Sequence, residues 1–195
     1  MFTLRDYEKR DFDALFQLDR LCFDPSIAYS RPELSSFVEQ RRAFTIVAEW
    51  DGPSLAQPSL AQPSQAQPSQ AQPSQAQPSL AHPDAAHAPE RTAAAPPARR
   101  PIAGFLICHF QRQGYGHIIT IDVHPDARRN HLGTLLVDAA CERLRKMTAF
   151  MVVLEVAVNN HSALAFYDRF GFKRVKVLER YYSRDVDAIF MTKRL

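Results

Sequence analysis

Cysteine, runs of like charge and long apolar stretches are all scarce in this chain, and each shortage argues against a class of protein. Three cysteines occur in 195 residues, Cys22, Cys108 and Cys141, widely spaced and never as a C-x-x-C pair. An odd, scattered set argues against a disulfide framework or a zinc site and fits reduced core thiols in a cytoplasmic protein. No segment approaches the roughly 20 apolar residues of a membrane span. Charge at Arg5, Asp6, Lys9 and Arg10 leaves no apolar core for a signal peptide. Lys and Arg total 24 against 21 Asp and Glu, a net charge of +3. With no block of either sign, that balance argues against a nucleic-acid or membrane-surface partner.

Proline is present but confined. Ten of the fourteen prolines lie between Pro53 and Pro97, and from Gly52 to Arg100 almost nothing apolar is larger than alanine. The unit there is Pro-Ser-(Leu/Gln)-Ala-Gln, with prolines at 53, 58, 63, 68, 73 and 78. A five-residue period suits neither helix nor strand, and so little apolar surface cannot offset ordering entropy. Residues 52–100 are therefore expected to be a disordered insert, a tolerated expansion of a surface loop. The 146 residues that remain make one domain of ordinary size.

The periodicities of that domain give an order of elements. Phe2 to Arg5 reads as a strand, and Asp11 or Asp13 can cap a helix carrying Phe12, Leu15, Phe16, Leu18 and Phe23. Ser30-Arg31-Pro32-Glu33 joins an N-cap serine, a first-turn proline and a capping-box glutamate, opening a helix to about Gln40. Ala43 to Trp50, Ile102 to His109 and His117 to Val123 are expected strands, the first two being hairpin neighbours around the insert. Met151 to Val158 is an apolar strand interrupted by Glu155, and Ser162 to Arg169 a helix stopped by Gly171. Phe172 to Leu178 and Ala188 to Lys193 close the chain as strands. The order β-α-α-β-β-β-α-β-α-β-β predicts a mixed sheet with helices on both faces, α/β or α+β by class.

The strongest functional signal is Ile119 to Leu136. Ile119, Ile121 and Val123 alternate with Thr120, Asp122 and His124, and Pro125 ends the strand. Apolar spacing then changes to Leu132, Leu135, Leu136, Ala139, Ala140, Leu144 and Met147, the stripe of a helix that starts near Asn130 or His131 and runs to about Lys146. Its free N–H groups and positive dipole end face a loop bearing Arg128 and Arg129, an arrangement suited to a pyrophosphate. A solvated turn gives the same residues. Glu155 is the second signal, because a carboxylate among apolar neighbours is costly unless it is paired or functional.

Val123-x-Pro125-x-x-Arg128-x-x-x-x-Gly133-x-x-Leu136 resembles the acyl-CoA loop of the GCN5-related N-acetyltransferase (GNAT) superfamily, Arg/Gln-x-x-Gly-x-Gly/Ala, with His131 at the first small position. Leu154-Glu155-Val156, Asn160, Ala163, Tyr167, Gly171-Phe172, Arg180-Tyr181-Tyr182 and Asp187-Ala188 with Met191 are similar to its RimI-like branch, the protein N-terminal alanine acetyltransferases. The likeness covers Ile102 to the C-terminus well and the first fifty residues loosely. Ala157 stands where the branch usually has arginine, and the loop from Ser183 to Asp187 is short.

The resemblance implies a mixed, mostly antiparallel sheet and acetyl-CoA as co-substrate, with no metal. It assigns acetyl-CoA contacts to Ile121, Asp122 and Val123, to Arg128, Arg129, Asn130, His131, Leu132, Gly133 and Thr134 of the loop, and to Asn160. Glu155 becomes the base that takes a proton from the incoming amine, and Tyr167 the acid that protonates the departing thiolate. Tyr29, Tyr181 and Tyr182 are candidates to grip the acceptor, a protein or peptide N-terminus such as that of a ribosomal protein. Two rival readings are the same chemistry on a small-molecule amine, and a CoA-binding or protein-binding module without turnover.

Overall fold

The computed structural model describes residues 1–25, 27–52, 100–182 and 186–195. Residues 53–99 of the expected disordered insert and 183–185 of the short loop lie outside the described residues. The described strands are β1 (Phe2–Asp6), β2 (Ala43–Trp50), β3 (Ile102–Phe110), β4 (Tyr115–Val123), β5 (Met151–Ala157), β6 (Lys173–Tyr182) and β7 (Val186–Arg194). The helices are α1 (Phe12–Cys22), α2 (Arg31–Glu39), α3 (Leu132–Lys146) and α4 (His161–Arg169). The strands form one sheet in the order β1-β2-β3-β4-β5-β7-β6, antiparallel throughout except for the parallel pair β4 and β5. That is the expected class. The closing strands run longer than their apolar cores suggested, because β6 is an edge strand whose polar residues extend the ladder.

Helices cover both faces. Leu132, Leu136, Val137, Ala140, Cys141 and Leu144 of α3, all buried at spacings of three and four, pack with Leu164 and Tyr167 of α4 on one face. That face includes Leu106, Cys108, Ile118, Val152, Leu154 and Val156. On the other face, Leu15 and Leu18 of α1 and Leu34 of α2 pack against Val47, Phe105 and Ile107. Gly116 permits the closest approach on the α3 side, since a Cβ there would lie 2.3 Å from the Leu144 side chain.

Caps follow the sequence at α2, where Ser30 and Glu33 form the expected reciprocal box. Asp11 differs. It occupies the N-cap of α1 without a capping side-chain bond, because Arg5 takes its carboxylate at 2.6 and 2.9 Å and the Glu8 N–H donates to it at 2.8 Å. A short 3-10 turn, Lys9–Asp11, precedes the helix and makes this geometry possible.

Two features of β4 shape the site. Ile107 pairs with Thr120 but Cys108 with Ile118, so Ile119 is an extra residue, a bulge that bends the strand and shifts its alternation. Past the bulge, Thr120 and Asp122 are buried, whereas Ile121 and Val123 are only half-buried. The second feature is how briefly β4 and β5 pair: only Tyr115, Gly116 and His117 meet Met151, Val152 and Val153. Beyond His117 the two strands splay, and the gap opens toward their C-terminal ends, where α3 and α4 begin.

Candidate active site

Adjacent parallel strands that separate toward their carboxyl ends form a crevice in which α/β proteins bind ligands. A cavity of about 790 Å³ lies on the α3 and α4 side of this one. Ile121, Val123, Arg128, Arg129, His131, Leu132, Gly133, Thr134, Asn160 and Tyr167 line it, ten of the residues assigned from sequence. Its remaining walls come from Cys22 and Phe23 at the end of α1, Ala127, Ser162, Ala163, Phe166 and Arg169 of α4, and Phe170 just after it. None of these side chains is acidic, so the cavity suits a polyanion.

The loop is built by its own hydrogen bonds. Arg128 Nε donates to the Val123 carbonyl at 3.1 Å, folding the arginine back along the end of β4. Arg129 and His131 both have left-handed backbones, at φ of 62° and 59°. His131 thus sits at the N-cap of α3, one position before the first helical turn, and its φ is one that glycine adopts without strain. The first N–H groups of α3 are left to face the loop.

Two expected ligand residues are placed elsewhere. Asn130 turns its amide onto the Ala127 and Arg128 carbonyls at 3.4 and 3.1 Å and does not line the cavity. Asp122, fully buried, faces α1, where it accepts from Thr120 Oγ1 at 2.9 Å. The Ile119 bulge is the reason, because it puts Asp122 on the side of β4 opposite the cavity. Burial and the nearby Asp19 charge hold the Asp122 carboxyl well above the usual carboxylate range. Asn160 both lines the cavity and caps α4, its side-chain oxygen accepting from Ala163 N–H at 3.1 Å and from Ser162 Oγ at 3.1 Å.

On the opposite side of the sheet, Glu155 and the three expected acceptor tyrosines gather at the same gap. Glu155 Oε2 lies 2.7 Å from His117 Nε2. His117 is the last β4 residue paired with β5, so the imidazole stands at the vertex of the splay. The Tyr182 hydroxyl donates to the Glu155 carbonyl at 3.2 Å, and the Tyr29 hydroxyl to the Ile119 carbonyl at 3.3 Å. Burial, with the Glu155 carboxylate beside it, pushes the Tyr181 phenol up to about 12. Burial also raises Tyr167, Tyr182 and Tyr29, with neighbouring phenols adding to each shift, so all four tyrosines stay protonated donors at neutral pH. Tyr182 links the two sides, since its hydroxyl bonds the strand carrying Glu155 and its phenol adds to the rise of Tyr167, which lines the cavity.

Glu155 is half-buried rather than sealed, its side chain 14% exposed. His117 was not singled out in the sequence: its partner lies 38 residues away, and nothing local marks the contact. Cys22 also borders the cavity. Burial raises its thiol to about 12, and its Sγ donates to the Val123 carbonyl at 3.3 Å, so it is a wall rather than a nucleophile.

Fold and cavity together define an α/β protein with a basic cavity, free of carboxylates, at a parted strand gap and with a carboxylate and phenols on the far side. The family model described as Acetyltransferase (GNAT) family matches residues 60–172, and the chain belongs to that family. An N-alpha-acetyltransferase of Saccharolobus solfataricus is 37% identical over 81 residues, 41% of this chain and 48% of that protein. The human N-alpha-acetyltransferase 30 is 38% identical over 90 residues, 44% of this chain and 25% of that one. The chain therefore spans about half, or less, of the length of these relatives. Among solved structures, the ribosomal-protein-S18-alanine N-acetyltransferase of Escherichia coli superposes with a TM-score of 0.68 at 19% identity, over 100% of this chain and 94% of that one. The NatC complex bound to Gag peptide and CoA gives 0.64 at 19% identity, over 100% and 98%. Both likenesses are of fold.

Proposed function

We propose that the protein transfers an acetyl group from acetyl-CoA to the N-terminal α-amine of a protein or peptide. The observation that carries this reading is the pairing of a basic, carboxylate-free cavity on one side of the strand gap with the His117–Glu155 pair on the other. Relatives named N-alpha-acetyltransferase support the class of acceptor. The RimI-like motif adds a finer proposal, an alanine N-terminus of the kind a ribosomal protein presents, met in the cytoplasm.

The residues fit the co-substrate. The N–H groups at the start of α3, with Arg128 and Arg129, would hold the pyrophosphate, and the edge of β4 from Ile121 to Val123 would receive the amide-bearing arm. Acetyl-CoA supplies an activated thioester to this site. Glu155, oriented by His117, accepts one proton from an ammonium whose pKa is about 8, which leaves the amine free to attack. Tyr167, held protonated by burial, donates to the sulfur that leaves. Tyr29, Tyr181 and Tyr182 wall the acceptor side with apolar rings and hydroxyls, which favours a peptide backbone over a small polycation.

Release of free CoA thiol, followed with a panel of N-terminal peptides and small amines, tests the proposal. Turnover on peptides and little on the amines is the expected outcome. Preference for a small amine would overturn the acceptor, and thiol release with neither would overturn transfer.

A further inference from the structure

On the side of the sheet that carries Glu155, the helical cover stops halfway across. The apolar cluster that α1 and α2 build there takes its strand members from β2, β3 and β4, and Ile119 is the last of them toward the gap. No residue of β5, β7 or β6 belongs to it. Among the described residues, that half of the face therefore lies outside the helical packing, and it begins at Glu155.

Strand register shows what stands on it. Val152, Leu154 and Val156 belong to the core on the α3 side, so Met151, Val153 and Glu155 face the other way. Their partners on β7 are Arg194, Thr192 and Phe190, and Thr192 and Phe190 pair in turn with Lys173 and Lys176 of β6. Directly paired residues share a face. Lys173, Lys176 and Arg194 thus stand on the Glu155 side, and the Lys176 ammonium lies 5.8 Å from the centre of the Phe190 ring. All three cations are exposed. None of them is ion-paired among the described residues, since Arg174 holds the Asp168 carboxylate that lies near Lys173. Glu155 is the one carboxylate among these paired positions.

We propose that this basic strip receives the acceptor residues that follow the acetylated one, and that it selects acceptors with acidic side chains there. The inference rests on the N-terminal acetylation reading given above. Continuity with Glu155 sets the spacing. Phe190 is the direct partner of Glu155 and Lys176 of Phe190, so Lys176 stands two strands away, about 10 Å. An extended peptide advances about 3.3 Å per residue, which brings its third to fifth residues to Lys176 and Lys173. Carboxylates at those positions meet unpaired ammonium groups, whereas lysines there are repelled.

The test is thiol release by the full chain on peptides that begin alike and carry glutamate, alanine or lysine at the third to fifth positions. The wild type should show a kcat/KM about fivefold or more higher for the glutamate peptide than for the lysine peptide at low salt, and added salt should shrink the ratio. Replacing both lysines by glutamine, Lys173→Gln with Lys176→Gln, should erase the preference. Lys173→Glu with Lys176→Glu should reverse it, and both pairs should leave the alanine peptide within about twofold. The two sites are exposed, so these chains should melt as the wild type does. A wild type that does not rank the peptides by charge, or variants that slow every peptide alike, overturn the strip while sparing acetylation of peptides. Self-association of the wild type that the reversal abolishes, with the ranking unchanged, assigns the strip to a second copy and overturns the proposal. No thiol release with any peptide overturns the acceptor and the strip together.

Discussion

Glu155 lies two residues past the last β4–β5 pair, far enough along the splay to face the gap and near enough to be held by His117. If it is the base, Glu155→Gln keeps shape and hydrogen bonding but cannot accept the proton. Turnover should fall by roughly 10² to 10⁴ with acetyl-CoA affinity barely changed. The deficit should shrink as pH rises through about 8, because more of the α-amine then arrives neutral. Tyr167→Phe should also slow turnover, without that rescue, since its proton goes to the thiolate. Pre-steady-state rates across pH 6.5 to 9.5 separate these outcomes, and an unaltered rate for Glu155→Gln at pH 7 would make the carboxylate structural. His131 allows a different prediction. At φ 59° it occupies a conformation that costs an L residue about 1 kcal/mol or more, so His131→Gly should raise Tm while changing acetyl-CoA affinity less than about tenfold. A loss of several hundredfold would make the imidazole a principal phosphate ligand. At this scale the sequence was informative where chemistry is local. Glu155 and Arg128 stand out from their neighbours, but the side chain that orients Glu155 and the face on which Asp122 falls depend on a contact across 38 residues and on a one-residue bulge.

The packing of α1 against β4 carries its own pH dependence. Asp19 is buried on α1, where it accepts the Tyr29 N–H at 2.8 Å and so ties down the loop that bears an acceptor tyrosine. Burial raises its carboxyl from 3.8 to about 6, against the opposing pull of that hydrogen bond and of Arg20, with Glu33 adding to the rise. Between pH about 4 and 6 the folded chain therefore holds a proton that the unfolded chain has released. Stability must fall as pH rises through this window and be greatest near its acid end. The two-unit difference corresponds to about 3 kcal/mol as an upper figure. Asp11, Glu33 and Asp168 are shifted the other way by their partners, and their contributions are lost only as pH drops below the usual carboxylate range. Thermal melts should show Tm rising from pH 7.5 to 5 in the wild type. Asp19→Asn, which keeps the acceptor for Tyr29 but has no charge, should reduce that rise, leaving the part carried by the buried Asp122 carboxyl, and match or exceed the wild type at pH 7.5. A wild-type Tm that is flat or falling over the same range would contradict the assignment. The elements themselves were legible because their signals are periodic or capped, as at Ser30 to Glu33. Asp11, one of the two cap candidates with Asp13, does stand at the N-cap of α1, but its side chain caps nothing because Arg5, six residues earlier on another element, claims its carboxylate.

For the molecule as a whole, the question is whether the long Pro-Ser-Ala-Gln segment matters to the fold, and the chain on either side of it supplies the argument. β2 and β3 pair from Ala43 with His109 out to Glu49 with Ile102, and the ladder continues as the Trp50 N–H donates to the Pro101 carbonyl at 2.9 Å. Asp51 and Arg100 then form an ion pair at 2.8 Å. The two ends of the segment thus meet as the ends of an ordinary hairpin do, already fixed by strand pairing, with Phe2 stacked on Trp50 at 4.8 Å beside them. The described strands and helices carry buried clusters on both faces of the sheet. We propose that this segment is a disordered insert in a single domain, and that it is dispensable. Joining the ends shortens the connection between β2 and β3, which changes closure entropy by only about 1 to 2 kcal/mol and in the stabilising direction. Replacing Pro53 to Ala98 with a short glycine-serine turn should therefore leave Tm equal or slightly raised and acetyl-CoA binding within about twofold. Melting and binding measured on the shortened chain decide the point. A large fall in Tm would show that the segment packs against the domain, and an intact Tm with lost turnover on peptides would give it a part in bringing the acceptor to the gap.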